Sequence, residues 1–405
     1  MKHEVAGYNL VDVKKRNRSA ILYLIYQSGG MSRKEIAQRL GLTPAAITLI
    51  TSDMIAEGLL VETRTEYNSV RVGRKEVILD INFGHYAAVG VCINRTKAEI
   101  ICTDLRQNVI FEEQFSIEGC RQKSKVIMGK TCGLIRTRLE QYEVARTKKI
   151  LGVGIGVRGI VNSEKGVSTH SFHLWEDNVD VKTFFEEQLG LPVVVNNNVR
   201  ALAYGELFYF FNDYPDNSIF IKHGPGVGAA HISVGSAASD FTCTPVELGH
   251  MIVDPGGRVC SCGNHGCLET IVSYEAIQEN AKAVFSSTLT PTLYSLAEGS
   301  ADRVSRDMIL SAYDAGDKII EEIFSRAAFY FAVAIRNSIS LLNPSAIIMY
   351  GELFEDKKFW ALLQQKLSCF PGCNMVVKSR FNLKMDTLGP ASTIIGNFFS
   401  GGGNL

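Results

Sequence analysis

Between His250 and Cys267 the chain reads HMIVDPGGRVCSCGNHGC, a histidine followed by Cys260, Cys262 and Cys267. Zinc takes thiolate sulfur and imidazole nitrogen in a tetrahedron, and four such ligands within so short a stretch can close around it without help from distant sequence. Gly256, Gly257, Gly263 and Gly266 supply the backbone reversals that aim the sulfurs at one point. The spacing predicts one structural zinc ion per chain, held by His250, Cys260, Cys262 and Cys267.

At 405 residues there is room for two or three domains with full cores. No run of about 18 apolar residues suggests a membrane span, and the first residues lack the apolar stretch of a signal peptide. A soluble, cytoplasmic protein without membrane insertion is expected. Ten cysteines in such a chain read as reduced thiols and metal ligands. Cys92, Cys102, Cys120, Cys132, Cys243, Cys369 and Cys373 have no ligand-like grouping and are expected to be buried apolar residues. Net charge is zero, but residues 1–80 hold twelve Lys/Arg against nine Asp/Glu, leaving thirty against thirty-three for the remainder. The first eighty residues are therefore the better face for a polyanion.

That segment carries helix punctuation. Ser19 to Gln27 has apolar residues at helical spacing and ends at Ser28-Gly29-Gly30. Ser32 and Glu35 form a capping box for a second helix that stops at Gly41. Thr43 then caps a third, with Pro44 at its first position and Gly58 at its exit. Two helices joined by so short a turn make a helix-turn-helix. Ile47, Ile50, Met54 and Ile55 are predicted to be buried, leaving Ala45, Ala46, Thr48, Leu49 and Ser52 outward. Thr43, Ala45, Thr48 and Ser52 are the candidate DNA contacts on this helix; small and hydroxylic, they suit thymine methyls and phosphates. Val61 to Val77 reads as a strand, a basic tip and a returning strand, the wing of a winged helix. Arg71, Arg74 and Lys75 at that tip would enter a narrow minor groove, with Lys14, Lys15, Arg16 and Arg18 adding phosphate contacts.

From about Gly84 strands and helices alternate. HYAAVGVCI, KAEIICTDL and QNVIFEEQF read as strands, Ser124 to Tyr142 as a long helix, and ILGVGIGVRGIVN, LPVVVNNN and SIFIKHGPGVGAAHISV as further buried strands with glycine-rich exits. The alternation predicts an α/β architecture of two lobes, with ligands at the carboxyl ends of the strands.

ELGHM from Glu247, CSCGNHGCLE from Cys260, NNVRALAYGE from Asn197 and LLNPSAIIMYGEL from Leu341 together resemble the ROK family of repressors, open reading frames and sugar kinases. The N-terminal winged helix resembles its repressor branch. The resemblance implies an actin-like, ribonuclease-H-like fold with a sugar between two lobes. It implies a winged helix over 1–80, a first lobe over 81–196 with 384–405, and a second lobe over 197–383 that carries the zinc site and an oligomerisation surface. Position by position, the family's sugar contacts fall on Asn197, Asn198, Glu247, His250 and Glu269. Amides and carboxylates suit vicinal hydroxyls. His250 would hold zinc through one ring nitrogen and donate to the sugar through the other.

The kinase machinery the resemblance implies is altered. The family's catalytic carboxylate falls on Asn198, and an amide cannot act as a general base. Its first phosphate turn, DIGGTK, appears as Cys92 to Lys97, its second as Gly224 to Ala230 with Pro225 where a threonine is expected, and its adenosine-side glycines as Tyr350-Gly351-Glu352. A non-enzymatic, sugar-responsive repressor is expected, with operator DNA, a sugar effector and a second copy of itself as partners, as a homodimer or homotetramer. The family also offers sugar-transport proteins as partners. Arg158, where the family usually has proline, is either a solvated side chain or a contact to an anionic group on the sugar.

Overall fold

The computed structural model describes residues 10–63, 77–117, 123–172, 174–210, 215–235, 241–370, 375–381 and 386–405. Tertiary contacts divide the chain into two units, 1–208 with 234–241 and 386–405, and 209–233 with 242–385. The first unit thus joins the N-terminal helices to the first α/β layer. Its outer boundary falls after Phe208 rather than at residue 196, because the strand Val193–Asn197 runs straight into the helix Asn198–Phe210.

The N-terminal part is a winged helix. Its helices are Leu10–Ser28, Arg33–Leu40 and Pro44–Ala56, and its small sheet places Ile78–Ile81 between Met31–Ser32 and Leu60–Thr63. The first helix starts well before the expected Ser19. Behind it the first unit holds a five-stranded sheet, in the order Val193–Asn197, Lys149–Val157, Tyr86–Ile93, Lys97–Asp104, Val109–Ser116. The first three strands are parallel and the last two turn back antiparallel. The helices Ser124–Gln141 and Val181–Leu189 contribute Ile127, Cys132, Ile135 and Phe185 to the core with the sheet residues Val89, Val153 and Val195. The C-terminal helix Leu388–Ser400 packs so closely on the sheet that a Cβ on Gly154 would lie 1.8 Å from the Pro390 carbonyl oxygen.

In the second unit the order is Phe241–Val246, Val227–Val234, Asn217–His223, Ala346–Tyr350, Val376–Lys378. Numbering each sheet's strands along the chain, both sheets read 3-2-1-4-5. The same actin-like α/β plan is therefore used twice. The second core centres on the 25-residue helix Lys318–Leu342, whose Phe324, Ala328, Phe331 and Ile335 are buried with Ile221, Ile347 and Met349. Among the described residues no helix is long and apolar enough to cross a membrane. Cys92, Cys102, Cys132 and Cys243 are buried as expected, whereas Cys369, at the end of the helix Lys357–Ser368, is exposed; Cys120 and Cys373 lie outside the described residues.

Candidate functional site

The winged helix forms from its punctuation. Ser32 Oγ accepts from Glu35 N at 3.3 Å and Glu35 Oε2 accepts from Ser32 N at 2.9 Å, a complete capping box. These bonds hold the Glu35 carboxyl below the usual carboxylate range. Gly41 turns the chain with φ of 65°, and Thr43 Oγ1 accepts from Ala46 N at 3.2 Å to start the recognition helix. Ile47, Ile50 and Met54 are buried on that helix. Ile55 is only half-buried, and Thr51 takes the fourth inward place. Thr51 can be buried because its hydroxyl is satisfied, donating to Ile47 O at 2.8 Å and accepting from Arg33 Nε at 3.1 Å. Thr43, Ala45, Thr48, Leu49 and Ser52 are exposed, Leu49 at 68%. Arg71, Arg74 and Lys75 lie outside the described residues, between strands whose ends pair at Thr63 and Ile78.

One expected phosphate contact is corrected. Arg18 is only 4% exposed, and its guanidinium donates to Gly402 O and to both carboxylate oxygens of Glu57. Lys14, one turn earlier, pairs with Asp53 of the recognition helix at 2.8 Å. The spacing of Lys14 and Arg18 against Asp53 and Glu57, four residues apart on both helices, was the available signal.

In the first unit, Ile93, Val157 and Asn197 sit side by side at the carboxyl ends of three parallel strands. Asn94, Arg158 and Asn198 follow them, with Arg158 half-buried in the middle of this row. Asn197 Oδ1 accepts from Val199 N and Arg200 N at 2.9 and 3.1 Å, while its Nδ2 donates to Gly159 O at 2.6 Å. It caps the helix and pins the next loop, retaining one amide hydrogen for a ligand. Asn198 Nδ2 donates to Asn94 Oδ1 at 3.4 Å. An amide pair of this kind offers hydroxyl partners and no base.

In the second unit, Glu247 is exposed at the head of the short turn Leu248–His250. Glu269 Oε2 accepts from Val227 N at 2.8 Å and lies against Gly226 and Gly249, where added Cβ atoms would come within 2.5 and 3.4 Å of it. Glu269 thereby staples the Gly224–Gly226 turn to the metal loop. That loop is tied by Ile252–Cys267 and Val259–His265 bridges, and by Leu268 N donating to Met251 O. Only glycine fits at Gly266: φ is 68° and a Cβ would fall 1.5 Å from Asp254 O.

The ligand atoms of His250, Cys260, Cys262 and Cys267 all lie within 4.8 Å of one another. With bonds of about 2.3 Å to sulfur and about 2.0 Å to nitrogen, a tetrahedral ion spaces two sulfurs about 3.8 Å apart and a sulfur and nitrogen about 3.5 Å apart. Cys262 and Cys267 are 3.7 Å apart at sulfur, and Cys260 Sγ is 3.4 Å from His250 Nδ1. The four side chains fit and could hold one metal ion, with Nδ1 as the imidazole ligand. Burial and the neighbouring thiols Cys262 and Cys260 push Cys267 up to about 12. A cation among them removes that penalty.

The positions implied for nucleotide chemistry serve other ends. Cys92 and Ile93 are strand residues, and Asn94 N donates to Lys97 O to close a tight hairpin. Gly224 N donates to Gly226 O, so the Pro225 turn closes on itself. Glu352 pairs with Arg306 at 2.6 Å, and that guanidinium lies 5.0 Å from the Tyr274 ring centre. Gly351 presses on His223, whose carbonyl oxygen would lie 2.5 Å from an added Cβ.

A winged helix ahead of two like-ordered α/β units, with amides and carboxylates near the strand ends and a closed turn at Gly224–Gly226, defines a DNA-binding regulator on an actin-like scaffold. Residues 88–398 match the ROK family, and residues 15–67 match the MarR family. The chain belongs to the ROK family. It is 28% identical over 351 residues to the DNA-binding transcriptional dual regulator NagC of Escherichia coli K12, covering 85% of this chain and 82% of the relative. Against the xylose repressor of Caldicellulosiruptor bescii, identity is 27% over 354 residues, with 85% and 86% covered. A solved ROK family transcriptional regulator, a homologue of the E. coli MLC protein, superposes with a TM-score of 0.79 at 26% identity, covering 96% of this chain and 98% of that one. The chain is a regulator rather than an enzyme.

Proposed function

We propose that this protein is a cytoplasmic, sugar-responsive transcriptional repressor of carbohydrate uptake or catabolism genes. Residues 1–80 read a pseudo-palindromic operator, and the two α/β units that follow them form the sugar-binding lobes of a homodimer or dimer of dimers. The sugar is held by Asn197, Asn198, Glu247, His250 and Glu269. One zinc ion on His250, Cys260, Cys262 and Cys267 keeps the loop between Glu247 and Glu269 in shape and performs no chemistry. The observation that carries this reading is the amide at position 198, bonded to Asn94, in a chain that keeps hydroxyl-binding side chains and carries a DNA-reading head. Sugar binding and DNA binding are then reciprocally coupled.

Operator affinity measured at fixed salt, with and without a panel of hexoses, pentoses, amino sugars and their phosphates, tests the coupling. At least one sugar should shift it; affinity that ignores every sugar sinks direct sensing, and a shift produced only by a sugar-transport protein would assign control to that partner. ATP-dependent turnover on the order of 1 per second on any of these sugars would refute the non-enzymatic reading.

A further inference from the structure

The last residues of the chain are built into the DNA-reading head. Arg18 Nε donates to Gly402 O at 2.6 Å, Nη1 donates to Glu57 Oε1 at 2.8 Å, and Nη2 donates to the other Glu57 oxygen. Glu57 is the C-cap residue of the recognition helix. One buried guanidinium therefore ties that helix to the tail, with hydrogen bonds along all three of its nitrogens. Gly402 has φ of 67°, and a Cβ there would lie 2.9 Å from both Arg18 Cβ and Lys15 O. Gly403, at 92°, would place a Cβ 2.4 Å from Leu59 Cδ1, just past the exit of the recognition helix. Both glycines are needed for this approach.

The joint extends inward. Tyr23 Oη lies 3.4 Å from Ser400 Oγ, and the rings of Tyr23 and Tyr26 each sit 5.5 Å from that of Phe399. Phe399 belongs to the helix Leu388–Ser400, which packs against the first sheet at Gly90 and Gly154. A continuous packed path thus runs from that sheet to the recognition helix.

We propose that Arg18, Glu57 and the Gly402–Gly403 tail form a clamp that positions the recognition helix on the first α/β layer, so that DNA affinity depends on the last residues of the chain. Arg18 is a positioning residue, not a phosphate ligand. This rests on the DNA-binding reading. The two fail differently.

The probe is the duplex that the full-length wild-type protein enriches from a random-sequence pool, titrated by fluorescence anisotropy from low to physiological salt. If nothing is enriched, the DNA-binding reading and the clamp with it are overturned. Otherwise Arg18→Met, Gly402→Ala and removal of residues 401–405 should each weaken binding at least tenfold at fixed salt. In each case the slope of log affinity against log salt should match wild type. Arg18→Lys, which keeps the charge but not the planar fork, should recover only part of the loss. A direct phosphate contact would instead cut the slope by about 0.9 on Arg18→Met and be recovered by lysine. Gly402→Ala leaves every charged side chain in place, so its wild-type affinity, or wild-type affinity after the truncation, overturns the clamp even if Arg18→Met fails to fold.

Discussion

Acidification should weaken the second unit through His223. This imidazole ends the strand Asn217–His223, immediately before the Gly224–Gly226 turn, and is 3% exposed. Its Nε2 donates to Val272 O at 2.8 Å, its Nδ1 has no hydrogen-bond partner, and the rings of Tyr274, Phe331 and Phe354 stand 4.4, 5.7 and 5.7 Å away. Burial lowers its pKa from 6.5 to about 4, the Val272 carbonyl opposing and Arg306 assisting. The unfolded chain then takes up the proton first. Stability is whole above pH 6.5 and is lost as the pH falls from there towards 4. The fall from 6.5 to about 4 sets a ceiling of roughly 3 kcal/mol; between pH 7.5 and 4.5 most of it is lost. His223→Gln keeps a donor for Val272 and does not titrate. Urea unfolding of both proteins at the two pH values, with hydrogen exchange of residues 217–223 to locate the effect, should show the variant losing roughly 2 to 3 kcal/mol less than wild type. Equal losses in the two proteins would refute the assignment of this pH dependence to His223.

Two further outcomes test the metal loop and the head. Cys260→Ser or Cys267→Ser should lower metal content, measured by elemental mass spectrometry, together with sugar-dependent control of DNA binding. Affinity for zinc should fall by more than about 100-fold, since groups that merely orient metal ligands already account for 10 to 100-fold; metal retained after all four residues are changed would remove them as the site. Thr43→Ala deletes the acceptor for Ala46 N and should cost the winged helix about 1 kcal/mol, read by thermal unfolding, and a cost near zero would show that the cap contributes nothing.

Local features were legible because they depend on a few adjacent residues. Ser32 with Glu35, Gly41, Thr43 and Pro44 act over single turns, and the structure uses each where its chemistry places it. The His250 to Cys267 cluster is equally local, and its glycines close it without distant partners. The first helix was less legible at its start. Residues 10–18 carry charge at positions a solvated helix would also carry, and only the facing acids Asp53 and Glu57 show that Lys14 and Arg18 are paired and that Arg18 is buried. That Thr51 is buried where Ile55 was expected was illegible for a related reason, since a hydroxyl is buried only where a bonding partner is found, and Arg33 stands eighteen residues away.

Legible along the chain were the punctuation of the winged helix, the four-residue metal cluster, the α/β alternation and the amide that stands where the family has a catalytic base. The first three follow from spacing and from what a side chain can donate, accept or deprotonate; the last follows from the resemblance of NNVRALAYGE to the ROK motif. Packing decided which donors and acceptors find protein partners: Asn197 Oδ1 on its helix cap, one oxygen of Glu269 on the Val227 amide, and Arg18 on Glu57 and the tail. Those partners lie from 2 to 384 residues away along the chain. The longer separations, to Glu269 and Gly402, close only when strands and helices pack, and hydrogen bonds carry no record of their distant partner in the local sequence.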